Sequence, residues 1–128
     1  MSNTTLISTF LSAEAQITCI KEFYPSKIVL VRENTTPSSK LLQNEENLRK
    51  SVGIMTSVQI VSFEPNVNIY EVANKISDII EIESYRGQIV ILNLSEWNRT
   101  HINGVLFAAY AKHNMVRKIV YVDEKNQI

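Results

Sequence analysis

What most limits the folds open to this chain is its alternation between two kinds of apolar segment. "KIVLV" (Lys27 to Val31) and "QIVILNL" (Gln88 to Leu94) are continuous runs rich in β-branched residues. Such runs suit strands covered on both faces, because a strand with one wet face would alternate apolar with polar. Leu6 to Phe10, Ser57 to Phe63 and Arg117 to Asp123 are shorter stretches of the same character. Between them the spacing turns helical. Ser12 to Tyr24 places Ala13, Ile17, Ile20 and Tyr24 on one side behind a Ser12 cap, and Pro25 closes it. A polar helix is predicted from Lys40 to about Ile54, with Leu41, Leu42, Leu48 and Val52 as its apolar positions. Behind an Asn68 cap, Val72, Ile76, Ile79 and Ile80 share a face, and Thr100 to His113 turns Ile102, Val105, Leu106 and Ala109 inward.

Strands that alternate with helices are joined by right-handed crossovers and lie parallel. The chain is therefore expected to be a single α/β domain over residues 1–128. Its layout would be Rossmann-like and doubly wound, a mainly parallel sheet of about five strands with helices on both faces. In the strand order 3-2-1-4-5 the chain reverses direction across the sheet between strands one and four, and ligands sit outside the carboxyl ends of strands flanking such a reversal. That order would set Ser8, Thr9 and Phe10 beside the segment from Asn93 to Thr100.

Composition removes several function classes. Lys plus Arg and Asp plus Glu number 13 each, so no summed field draws the domain to DNA or to an anionic membrane, and direct binding to either is not expected. Cys19 is the only cysteine; it excludes an intrachain disulfide, suits a reducing compartment, and reads as a small apolar filler rather than a nucleophile. The polar start and the absence of a long apolar run lead to the expectation of a cytoplasmic protein. No G-x-G-x-x-G follows the first strand and no G-x-x-x-x-G-K-[ST] occurs, which leaves nicotinamide and P-loop nucleotides without their backbone cradle. His101 and His113 lie far apart with no completing ligands, so neither a metal nor another cofactor is expected.

The polar junction "LNLSEWNRTHING" (residues 92–104) then stands out. A helix starting near Asn98 to Thr100 would present unpaired N–H groups and the positive end of its dipole to the reversal point. Asn98 or Thr100 can cap it, Arg99 can fork onto phosphate oxygens, and Trp97 offers a face for stacking a base. Asn93 and Ser95 add polar groups, and Ser8 and Thr9 bring hydroxyls from across the gap. Each alone has an ordinary role as cap, solvated cation or core filler. Gathered at one strand end, they favour a phosphate-bearing ligand.

Two stretches, "LISTFLSAEAQI" and "QIVILNLSEWNRTHINGVLFAAYAKHNMVRKIVYV", resemble the CARF family, the CRISPR-associated Rossmann-like domains that bind cyclic oligoadenylates in type III CRISPR antiviral signalling. Where many members carry a T-G-G-[TS]-[KR] turn, this chain reads Ser95, Glu96, Trp97, Asn98, Arg99. The basic and hydroxyl positions persist in Arg99 and Thr100, the glycines do not, and an Ala108–Ala109 pair follows in the helix. The resemblance implies a symmetric homodimer around a two-fold ring, cyclic tetra-adenylate foremost. Ser8, Thr9 and Phe10 would form one wall; Asn93, Ser95, Trp97, Asn98, Arg99 and Thr100 would form the other. The loop Arg32 to Ser39 is long and polar enough to fold over the ring as a lid, the alternative being an ordinary surface loop. It also implies one of two roles. In the first the chain is a metal-independent ring nuclease, with Arg99, Ser8 and Thr9 promoting in-line attack of a ribose 2′-hydroxyl to leave a 2′,3′-cyclic phosphate. In the second it is a non-catalytic sensor module, alone or within a longer regulator. The stretch from residue 87 to 124 also looks like the core of STAS phosphoswitch domains, in which Thr100 would be the phosphorylated residue.

Overall fold

The computed structural model describes residues 3–9, 13–33, 46, 50, 56–94 and 99–121. Within them β1 (Thr4–Thr9), β2 (Lys27–Glu33), β3 (Ser57–Phe63), β4 (Ile89–Asn93) and β5 (Val116–Val120) form one parallel sheet in the order β3-β2-β1-β4-β5. This is the α/β order expected from the apolar pattern. Helices α1 (Ala13–Phe23), α2 (Ile69–Tyr85) and α3 (Arg99–Ala111) connect the strands. Of the helix expected over 40–54, only Glu46 and Lys50 are described, both helical; the rest of it, and most of the expected lid, lie outside the described residues. The first strand begins at Thr4 rather than Leu6, because the Asn3 and Thr4 carbonyls accept from Ile89 (2.8 Å) and Ser26 (2.9 Å) and extend the pairing. A STAS core opens with consecutive strands; here α1 separates β1 from β2, so the fold overturns that alternative.

Side chains alternate faces along each strand, and the two faces differ in depth. Ile7, Val29, Val31, Val61, Phe63, Val90 and Leu92 point to the side covered by Val72, Ile76, Ile79 and Ile80 of α2 and by Val105, Ala108 and Ala109 of α3. On the opposite side Leu6, Ile91 and Val120 meet Cys19, while Ile28 and Leu30 meet Ile20, all under α1. The chain thus lays helices on both faces, as right-handed crossovers running first one way and then the other require. One helix end and one inward assignment differ from expectation. Tyr24 falls beyond the end of α1 with φ 47° and is exposed, and Leu106 lies outside the buried stripe of α3.

Local signals explain the ends of α2. Asn68 Oδ1 accepts from the Glu71 N–H (2.9 Å), and the Asn68 amide donates back to the Glu71 carboxylate (3.2 Å), satisfying an orphan donor of the first turn. At the other end Gly87 takes φ 81°, its N–H donates to Ser84 (3.0 Å), and the Gln88 N–H donates to Glu83 (3.0 Å). That pair of bonds closes a helix through a left-handed residue, which glycine adopts without a Cβ clash. A Cβ at 87 would touch nothing, so Gly87→Ala isolates the backbone term. It is expected to cost about 1 kcal/mol in urea unfolding, and no loss would mean that the turn is relaxed for any residue.

Candidate functional site

Crossovers from β1 lead through β2 to β3 on one side, whereas β4 and β5 extend the sheet on the other. The reversal therefore falls between β1 and β4, where Ser8 is the register partner of Asn93. At this carboxyl edge the aliphatic pattern gives way to polar groups. The Asn93 side-chain amide donates to Ser8 Oγ (3.0 Å), Ser8 Oγ donates to the Thr9 carbonyl (3.1 Å), and Thr9 Oγ1 reaches the Asn93 carbonyl (3.5 Å). All three residues are buried, with exposures of 0–1%. Unpartnered, such groups would cost about 1–3 kcal/mol each in desolvation; joined across the strands, they form a satisfied polar layer beneath the surface.

Helix α3 begins at Arg99, five positions after Leu94 along the connection that leaves β4. Its first N–H groups and the positive end of its dipole lie on the side from which β4 emerges. Of the site residues expected from the sequence, the structure brings Ser8, Thr9 and Asn93 together and sets Arg99 and Thr100 at the helix start. Phe10, Ser95, Trp97 and Asn98, and the side chains of Arg99 and Thr100, lie outside what is described.

Other chemistry has less support among the described residues. No three His, Cys, Asp or Glu side chains gather where a metal could be held. Burial, with a smaller contribution from the nearby Glu22 carboxylate, pushes the Cys19 thiol up to about 11, so it stays protonated at neutral pH and is a poor nucleophile. No described helix is long and apolar enough to cross a membrane.

Two residues escaped the sequence reading. Gly104 sits where α3 crosses α2, so close that a Cβ there would lie 2.7 Å from the Cβ and Cγ1 of Val72. A glycine inside a helical pattern was its only sequence signal. Glu83 continues the buried stripe of Ile76 and Ile80, and that spacing is the signal by which a buried acid could have been found. Its carboxylate accepts from Lys27 Nζ (2.9 Å), Thr5 Oγ1 (3.0 Å) and Arg86 Nη1 (3.4 Å). These groups gather at the amino ends of β1 and β2, the edge opposite the candidate site.

No family model matches the sequence, nor does any curated protein sequence. Solved structures do match in fold. VC1899 from Vibrio cholerae superposes with a TM-score of 0.74 at 15% identity, over 94% of this chain and 31% of that one. Can2 from Sulfobacillus thermosulfidooxidans, solved in complex with cyclic tetra-adenylate, gives 0.69 at 16% identity, over 98% and 33%. Csm6 from Enterococcus italicus, bound to cyclic hexa-2′-fluoro-hexa-dAMP, gives 0.73 at 11% identity, over 95% and 33%. The chain spans about a third of the length of each. At these identities the likeness establishes a CARF-like fold, the fold that the resemblance implied.

Proposed function

We propose that this chain binds a cyclic oligoadenylate at the carboxyl ends of β1 and β4 and serves as a ligand-sensing domain in type III CRISPR defence. The observation that carries the reading is the sheet reversal between β1 and β4, with a polar floor of Ser8, Thr9 and Asn93 and the N-terminus of α3 at its rim. Can2 and Csm6, which share the fold, were solved with cyclic oligonucleotides. Cyclic tetra-adenylate is the ring proposed here. In a homodimer each subunit supplies the same donors to half of its phosphates, so a chain of zero net charge can still bind a polyanion. Arg99 and the first N–H groups of α3 take a phosphate, Trp97 stacks an adenine, and Phe10, Ser95, Asn98 and Thr100 complete the walls. The domain works in the cytoplasm without touching DNA or membrane itself.

Burial favours sensing over cleavage. Ser8 and Thr9 direct their hydroxyls to the Thr9 and Asn93 carbonyls beneath the surface, rather than outward to a ribose. The ring-nuclease reading needs them, or Arg99, to align an in-line attack. Incubation with labelled cyclic tetra-adenylate and EDTA separates the two. Tight binding with an intact ring after hours supports the sensor, and a linear product ending in a 2′,3′-cyclic phosphate makes the chain an enzyme. Arg99→Ala should weaken binding by about 1.5–3 kcal/mol, as for a lost hydrogen bond to a charged group, with little change in melting temperature. Absence of binding by the wild-type chain in calorimetry sinks the proposal.

A further inference from the structure

An open sheet has two edges, and this chain treats them differently. The edge at β5 is guarded: Arg117 and Lys118 stand exposed on it, and its register against β4 shifts between Val90 and Ile91. Charge and irregularity of that kind stop a foreign strand from pairing with an edge. The edge at β3 has neither. SVQIVSF carries no charge, no proline and no glycine, and it pairs with β2 in unbroken register from Lys27 with Ser57 to Glu33 with Phe63. Neutral, β-prone segments free of proline are the ones that pair most readily with other strands.

The ladder fixes which groups of β3 face outward. The Ser57 N–H donates to the Ser26 carbonyl (3.1 Å), on the β2 side. Backbone groups alternate sides along a strand, so Gln59, Val61 and Phe63 also bond toward β2, while Val58, Ile60 and Ser62 turn their N–H and C=O groups away from it. No described strand lies there. The same three residues send their side chains to the α1 face, where Val58 and Ile60 pack only half-buried against Ile28 and Leu30.

We infer that the outer edge of β3 pairs antiparallel with β3 of a second copy, joining two five-stranded sheets into one. A second copy fits because a two-fold axis at Ile60 sets Ile60 against its own image and Val58 against Ser62, so all three outward residues exchange their backbone bonds. Val58 and Ile60 of both copies then close into one apolar strip with a β-branched pair at its centre. No like charges meet, because the strand has none. The contact lies beyond β2 from the reversal between β1 and β4, so it does not rest on the ligand assignment. It is also separate from a homodimer centred on a ring at that reversal, and it would link such pairs into larger assemblies.

Gln59→Lys combined with Ser62→Pro tests it. Both side chains are exposed; the lysine puts a charge on the edge, and the proline removes an outward N–H without taking a bond from the β2 ladder. Light scattering of the nucleotide-free wild type at micromolar concentration should give a mass above 14.6 kDa. In the variant it should fall to about half or less at the same concentration, with circular dichroism unchanged. Hydrogen exchange supplies a second reading. The amides of Val58, Ile60 and Ser62 should be protected in concentrated protein and exchange on dilution, whereas those of Gln59 and Val61 stay protected throughout. A wild-type mass of 14.6 kDa overturns the inference; so does a mass that the substitutions leave unchanged, or exchange at Val58 and Ile60 that ignores concentration. Titration with cyclic tetra-adenylate keeps the two readings separable. Assembly through β3 in a chain blind to the ring supports this contact while sinking the ligand assignment, and ring binding by a chain whose mass ignores the β3 substitutions does the reverse.

Discussion

Gly104→Val is expected to lower stability by about 3 kcal/mol, the upper range for overpacking a well-filled contact, read as a fall in the urea midpoint. The cause is steric. Any Cβ at this position would stand 2.7 Å from two atoms of Val72 and 3.1 Å from the Ile69 carbonyl oxygen, and the last of these is backbone that cannot rotate away. Alanine makes the sharper test. In an unhindered helix, Gly→Ala gains about 1 kcal/mol from propensity, so a loss in Gly104→Ala reports the contact with its sign reversed. Val72→Ala removes Cγ1 but keeps Cβ, and should rescue Gly104→Ala only in part, with a non-zero coupling in the double-mutant cycle. Equal or greater stability for Gly104→Ala would mean that α2 and α3 do not meet this closely. Because α3 opens at the candidate ligand edge, a shifted helix should also weaken ring binding.

Glu83→Ala should cost about 2–3 kcal/mol by a different route. The carboxylate is 3% exposed and receives Lys27 at 2.9 Å and Thr5 at 3.0 Å. Breaking a buried pair by deleting one partner typically costs about 3–5 kcal/mol; the figure is reduced here because the Lys27 side chain is 21% exposed and water can take up part of its charge. Lys27→Met in the Glu83→Ala background should recover stability, since no orphaned charge is left behind. A loss below about 0.5 kcal/mol, the level of an ordinary surface substitution, would show that the network contributes nothing. Ring affinity of the folded protein should not change, because the network lies at the amino ends of the strands. The Gly104 and Glu83 variants therefore separate a residue that supports the candidate site from one that supports only the fold.

The helix stripe of α2 was legible from Val72, Ile76, Ile79 and Ile80, and all four are buried in one core. For α3 the same reasoning assigned Leu106 to the inside and was wrong. When both sides of a helix are apolar, periodicity has no contrast from which to read a direction; in the structure the buried side is the one carrying Val105, Ala108 and Ala109, with Gly104 against Val72 of α2. Tyr24 misled in another way. Helical spacing continued through it, but Pro25 restricts the residue before it, and the chain turns at Tyr24 with a positive φ.

By itself the sequence determined the parallel α/β architecture, the neighbourhood of Ser8 and Asn93, and the placement of Arg99 at a helix start. Those follow from apolar spacing, capping and the handedness of crossovers, which act over a few residues or through general rules of connection. Only the tertiary structure decided that Asn93 satisfies Ser8 across 85 positions, that Glu83 anchors Lys27 across 56, and that Gly104 seats α3 against Val72. Hydrogen bonds and packing clashes depend on fractions of an ångström between groups remote along the chain, and no local pattern of residues carries that distance.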